Sequence, residues 1–119
     1  MKGAPRIRVQ PRIRVFRGDD IVLGPGKADL LGAIRKLGSI QDAARSLGMS
    51  YMRAWKLVQT MNRGFREPVV TAARGGASHG GAVLTKTGEA ALACYREMEA
   101  AGVQGMAPAW RRLSRRIKE

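Results

Sequence analysis

The sequence predicts a mainly α fold with a small β component, and three observations predict it. Apolar residues repeat at helical spacing in four segments between positions 27 and 101. Short β-rich runs at 21–23, 69–71 and 82–84 lie between those segments or ahead of them. Glycines and hydroxyl residues sit where helices would end and begin: Gly38 before Ser39, Gly48 just before Ser50, and Thr85 ahead of the last segment.

A length of 119 residues suits one compact domain with a modest core. The formal net charge of +13 points to a polyanionic partner. That charge is uneven. Residues 1–17 carry Lys2, Arg6, Arg8, Arg12, Arg14 and Arg17 with no acid, and residues 110–119 carry Arg111, Arg112, Arg115, Arg116 and Lys118 against Glu119. Between them, 11 basic and 8 acidic residues nearly cancel. The chain therefore divides into a basic N-terminal arm (1–11), a domain (12–101) and a basic C-terminal tail (102–119). The single cysteine, Cys94, allows no intrachain disulfide, and one histidine with one cysteine makes no zinc site. No apolar run reaches membrane-spanning length and no secretory segment follows Met1, so a cytoplasmic location, with no membrane partner, is expected.

Ile7, Val9, Ile13 and Val15 alternate with Arg6, Arg8, Arg12 and Arg14, a strand period with one apolar and one basic face. Pro11 makes this an edge strand or breaks it in two. A turn at 17–20 leads to the strand 21–23, giving an N-terminal β-hairpin. Leu30, Leu31, Ile34 and Leu37 define the first helix, with Gly38 just past its end. Ser39 caps a second, whose inner side is Ile40, Ala43, Ala44 and Leu47. Ser50 caps a third, from 51 to about 65, with Ala54, Leu57, Val58, Met61 and Phe65 inward. Strands at 69–71 and 82–84 flank the glycine-rich loop 73–81. Thr85 or Thr87 caps a fourth helix reaching about residue 101, with Ala91, Leu92, Tyr95 and Met98 on one side. Gly102, Gly105 and Pro108 predict a break, after which Trp110, Leu113 and Ile117 suggest a short basic amphipathic helix.

Residues 39–65 carry the function. A short helix, a tight glycine turn and a longer helix must cross steeply, which needs a small residue at the crossing, here Ala44, and Gly48 to reverse the chain. That is a helix-turn-helix, whose second helix enters the DNA major groove by its first turns. The strand–loop–strand and capped helix behind it complete a winged helix. With 54, 57, 58 and 61 inward, Tyr51, Met52, Lys56 and Gln59 face outward, flanked by Arg53 and Trp55. Basic side chains suit guanine edges or phosphates, and Ser50 with the helix N-terminal amides suits phosphate. Ser39 and Gln41 open the second helix, and Arg74 in the wing loop is placed to reach the minor groove or a phosphate. Trp55 is read as packing against the first helix or the wing. His79 and Cys94 are not read as metal ligands.

The segment GSIQDAARSLGMSYMRAWKLVQTMNRGF, followed by EPVV, the glycine-rich loop and LTKTGE, resembles the N-terminal DNA-binding domain of ModE-type molybdate-responsive regulators, with GMSYMRAW the most diagnostic piece. LysR-type regulators share a looser version of the same winged helix. The resemblance covers roughly residues 12–101. It implies a transcriptional regulator, with Ser50, Tyr51, Arg53 and Lys56 favoured as DNA contacts. It also implies a homodimer, for which the apolar face of 91–98 with Trp110, Leu113 and Ile117 offers a self-complementary surface on a C-terminal dimerisation helix. In such regulators a separate C-terminal domain binds molybdate or tungstate. The resemblance here is to the DNA-binding part, so no cofactor is expected, and any sensing falls to a separate sensor protein.

The alternative reading is a non-specific nucleoid-associated or RNA-binding basic protein, for which the basic ends would suffice. An enzyme is not expected: there is no nucleophile–base arrangement, no GxxxxGK loop and no metal cluster in the sequence.

Overall fold

The computed structural model describes residues 3, 5–73 and 80–118. A two-stranded antiparallel hairpin, β1 (Val15–Arg17) and β2 (Asp20–Leu23), opens the fold. Three helices follow: α1 (Pro25–Leu37), α2 (Ile40–Ser46) and α3 (Tyr51–Gly64). Then come the antiparallel strands β3 (Val70–Ala72) and β4 (Ala82–Leu84), and a long helix, α4 (Lys86–Ser114).

Local chemistry explains most of these boundaries. Gly38 takes φ +82° and closes α1 by donating its N–H to the Ile34 carbonyl at 2.8 Å, a left-handed cap that favours glycine. The Ser39, Ser50 and Thr85 side chains accept from the N–H of Asp42, Arg53 and Gly88 at 3.0, 3.1 and 3.0 Å. Each cap satisfies an orphan donor in a first turn, and between Thr85 and Thr87 the cap falls to Thr85.

The core joins Leu30, Leu31 and Ile34 of α1, Ala43 and Ala44 of α2, Ala54, Val58 and Met61 of α3, and Leu92 and Tyr95 of α4, with Leu23, Val69, Val70 and Ala82 closing its edges. Leu47, expected inward, is exposed. A Cβ on Gly88 would run into the Val69 carbonyl, so only glycine lets the first turn of α4 lie on the backbone just ahead of β3. The wing sheet gains a partial third strand: Ser39 bridges Gly81, and Ala82 N–H donates to the Gly38 carbonyl at 2.9 Å. The α1–α2 junction and the wing are thereby tied into one frame.

Two expectations are corrected. The alternating residues from Arg6 to Arg14 form no strand; regular pairing begins only at Val15. The segment lies instead along α4. The Tyr95 hydroxyl donates to the Ile13 carbonyl at 2.7 Å, Pro11 faces Gly102, and Val9 shares an apolar groove with Met106, Ala109, Trp110 and Leu113. The expected break at Gly102, Gly105 and Pro108 is also absent: α4 runs unbroken through all three to Ser114 and absorbs the short tail helix. Both differences have one cause. The N-terminal segment splints α4 along the stretch where glycine and proline weaken it, and tertiary packing overrides local propensity.

Candidate nucleic-acid interface

The crossing of α2 and α3 is built from small residues. Ala43, Ala44 and Ala54 are almost wholly buried. Between the helices Gly48 takes φ +70°, and the Met49 N–H donates to the Ala44 carbonyl at 3.0 Å. The turn is therefore short, and α3 is presented with its first residues outward.

At about 100° per residue, α3 divides into three faces. Ala54, Val58 and Met61 enter the core. Tyr51, Trp55, Gln59 and Asn62, at i, i+4, i+8 and i+11, line a groove shared with Ile40 and with Val70, Thr71, Ala72, Gly80, Gly81 and Ala82 of the wing. Met52, Arg53 and Lys56 face solvent and, with Ser50 and Leu57, form a second concavity. The expected outward set is thus split. Ser50, Met52, Arg53 and Lys56 sit together on the solvent side, while Tyr51 and Gln59 belong to the wing side. Trp55 lines the same groove beside the wing, with 41% of its surface exposed. Gln41 is exposed on α2, while Ser39 is half-buried, capping α2 and bridging the wing sheet. Arg74 and His79 lie outside the described residues.

The electrostatics of the solvent face are one-signed. Helix α3 contains Arg53, Lys56 and Arg63 and no acid. Among the described residues, neither Arg53 nor Lys56 forms an ion pair. Lys27 of α1 also belongs here: burial, and then the charge of Arg53, push its ammonium below the usual lysine range. The hydroxyls of Ser39 and Ser50 accept from backbone as caps, which leaves their own O–H free to donate to a phosphate oxygen.

Sequence reasoning missed Asn62. Its Oδ1 accepts from the Val69 and Val70 N–H groups at 2.8 and 3.2 Å, and its Nδ2 donates to the Val70 carbonyl at 3.1 Å. One amide thus pins the start of the wing to α3. The signal available was a polar residue on the half-buried side of an otherwise apolar face. Asn62→Ala is expected to destabilise the domain by about 1–3 kcal/mol, the cost of leaving partly buried backbone groups unpaired. Urea unfolding measures it, and an unchanged midpoint would show the clamp to be dispensable. Arg63 and Thr60 were also missed. With Arg17, Asp20, Val22 and Gly64 they line a concavity between α3 and the N-terminal hairpin.

The α2–turn–α3 unit, the β3–β4 wing and the capped helix behind it make this a winged helix-turn-helix. Its homologues are the ModE regulators and the MopA and MopB proteins. Molybdenum-pterin-binding protein MopB of Rhodobacter capsulatus is 51% identical over 78 residues, which is 66% of this chain and 29% of that protein. Molybdenum transport protein ModE of Azotobacter vinelandii is 43% identical over 70 residues, 59% of this chain and 26% of that protein. The DNA-binding transcriptional dual regulator ModE of Escherichia coli K12 is 38% identical over 71 residues, 60% of this chain and 27% of that protein. The matched part therefore spans less than a third of these curated relatives. No protein-family model matches the chain. Among solved structures, the DNA-binding domain of CbnR, crystallised as a DNA complex, superposes with a TM-score of 0.54 at 24% identity, covering 71% of this chain and 92% of that one. That likeness establishes the shared winged-helix fold.

Proposed function

We propose that this chain is a sequence-specific, ModE-like transcriptional regulator that places α3 in the major groove of double-stranded DNA, with the β3–β4 wing on the adjacent backbone. The observation that carries this reading is the solvent face of α3. Ser50, Met52, Arg53 and Lys56 converge at its N-terminal turns with no acid on the helix. Arg53 and Lys56 reach base edges or phosphates, and Ser50 hydrogen-bonds a phosphate. Gln41 and Ser39 approach the backbone from α2, and Tyr51, Gln59 and Arg74 contact DNA from the wing side. The relatives support the reading, since one is named a DNA-binding transcriptional dual regulator.

The test is selection of duplexes from a random library, followed by affinity measurement at fixed salt. A specific regulator prefers its selected duplex over random DNA by on the order of 1,000-fold or more. A ratio near one would replace this reading with that of a non-specific nucleic-acid binder.

The active species is a homodimer, because one recognition helix reads only a few base pairs and paired helices meet half-sites about 34 Å apart. Leu92 and Tyr95 of the expected pairing face 91–98 are buried in the core, so the surface left for a second copy is the exposed Met98, Val103, Leu113 and Ile117. Sedimentation equilibrium at micromolar protein, with and without DNA, is expected to give twice the chain mass.

These 119 residues are expected to bind DNA equally well with or without molybdate, since effector control requires an anion that prefers one conformation. A titration of molybdate, tungstate and sulfate at constant ionic strength checks this. An affinity change with molybdate that sulfate does not produce would show a sensing site within these residues.

A further inference from the structure

The unbroken course of α4 has a consequence for its arginines. Arg111 and Arg112 lie in the last turn of α4, Arg115 caps its C-terminus with helical backbone angles, and Arg116 follows in a turn, its N–H donating to the Leu113 carbonyl at 2.9 Å. Met106, Trp110 and Leu113 lie against Val9 of the N-terminal segment. The helix is thus seated by its apolar side, anchored at Tyr95–Ile13, Gly102–Pro11 and the Val9 groove. Its arginine side is left outward, and all four arginines are exposed.

Two features make this face unusual for a merely solvated helix end. Arg111, Arg112, Arg115 and Arg116 crowd four like charges into six residues at the C-terminal end of α4. No acid stands between Glu99 and Glu119 to offset them. Among the described residues, none of the four forms an ion pair, and the one hydrogen bond from their guanidinium groups runs from Arg112 to the Pro108 carbonyl at 3.4 Å. Repulsion of this kind is relieved when a polyanion brings in the missing negative charge. All four cations are arginine, the side chain whose planar fork binds phosphate bidentately.

We propose that the four arginines at the C-terminal end of α4 and just beyond it are a second, sequence-independent DNA-contacting surface that grips phosphates apart from those around α3. The proposal rests on the reading of this chain as a DNA-binding protein. Nucleic acid is favoured over an anionic membrane because the rest of the chain is read as a DNA-binding domain, and because Val9 of the N-terminal segment occupies part of the apolar side that a membrane-surface helix must sink into the bilayer. It is favoured over an acidic protein because the arginine side carries no large apolar side chain to anchor one.

The experiment compares wild type with the quadruple variant R111Q/R112Q/R115Q/R116Q and its charge-retaining counterpart R111K/R112K/R115K/R116K. Each is titrated with the selected duplex and with a random 60-base-pair duplex over a range of salt. Removing one phosphate-binding cation from the interface lowers the slope of log affinity against log salt by about 0.9. The glutamine variant is expected to show a slope smaller by about 2–4 on both duplexes while keeping the wild-type ratio between them. The lysine variant is expected to keep most of the slope, and both variants should keep wild-type helix content by circular dichroism. A glutamine variant with the wild-type slope would overturn the proposal. So would an unchanged slope on DNA together with abolished binding to phosphatidylserine vesicles, which would assign the face to a membrane. If wild type shows no preference for the selected duplex but the slope still falls in the glutamine variant, specific recognition fails and the phosphate-binding face stands.

Discussion

Ala54→Arg is expected to unfold the domain. Ala54 has no exposed surface and sits where α3 crosses α2, against Ala43 and Ala44. An arginine there must either bury its guanidinium without a partner or force the two helices apart. An uncompensated buried charge costs on the order of 3–5 kcal/mol, a large share of the roughly 5–15 kcal/mol that holds a typical domain together. The same residue type introduced at Met52, two positions earlier on the exposed face, is expected to change stability by less than about 0.5 kcal/mol. The pair of variants separates the effect of position from that of helix propensity, since arginine is a good helix former. Thermal melts followed by circular dichroism decide it. Equal melting temperatures for Ala54→Arg and wild type would mean that α3 does not cross α2 through this face.

Arg53→Ala and Lys56→Ala are expected to do the reverse, leaving the fold intact and removing recognition. Both side chains lie on the solvent face of α3, away from Ala54, Val58 and Met61, so melting behaviour should stay near wild type. Each substitution is expected to weaken binding to the selected duplex by about 1–3 kcal/mol where the side chain meets a base edge. Where it meets a phosphate, affinity falls about equally for all sequences and the salt slope drops by about one. The two residues also differ in setting. Lys27 stands near Arg53, and burial, then the Arg53 charge, holds its ammonium below the usual lysine range. Titrations of both variants at several salt concentrations test the assignment. Normal binding to the selected duplex by either one would remove that residue from the interface.

Most of the helix-turn-helix was legible in the sequence because it is written in local chemistry. The caps Ser39, Ser50 and Thr85, the left-handed Gly38 and Gly48, and the small residues Ala44 and Ala54 each act over a few residues. Each therefore leaves a mark at a fixed spacing. The inward face of α3 followed from its period alone.

The division of its outward face did not follow from period. Tyr51 and Trp55 are grouped with the wing, and Met52 and Lys56 apart from it, by where β3 and β4 land. Asn62 was hidden for the same reason, since its partners at Val69 and Val70 become neighbours only when the chain turns back at Phe65.

The two ends of the chain show the limit most clearly. From sequence alone, alternation at 6–15 reads as a strand, and Gly102, Gly105 and Pro108 read as a break. Both are sound local inferences. The tertiary structure lays the first segment along the second, joined by Tyr95 to Ile13 across 82 positions of sequence. A strand needs a partner with free hydrogen-bonding groups, and the outer residues of the arm find a helix instead. A helix weakened by glycine and proline needs support from outside itself, and the arm supplies it. What the sequence determined by itself was every feature whose energy is set within one or two turns of helix. The tertiary structure decided those whose energy depends on which distant segment arrives alongside, and no periodicity encodes that.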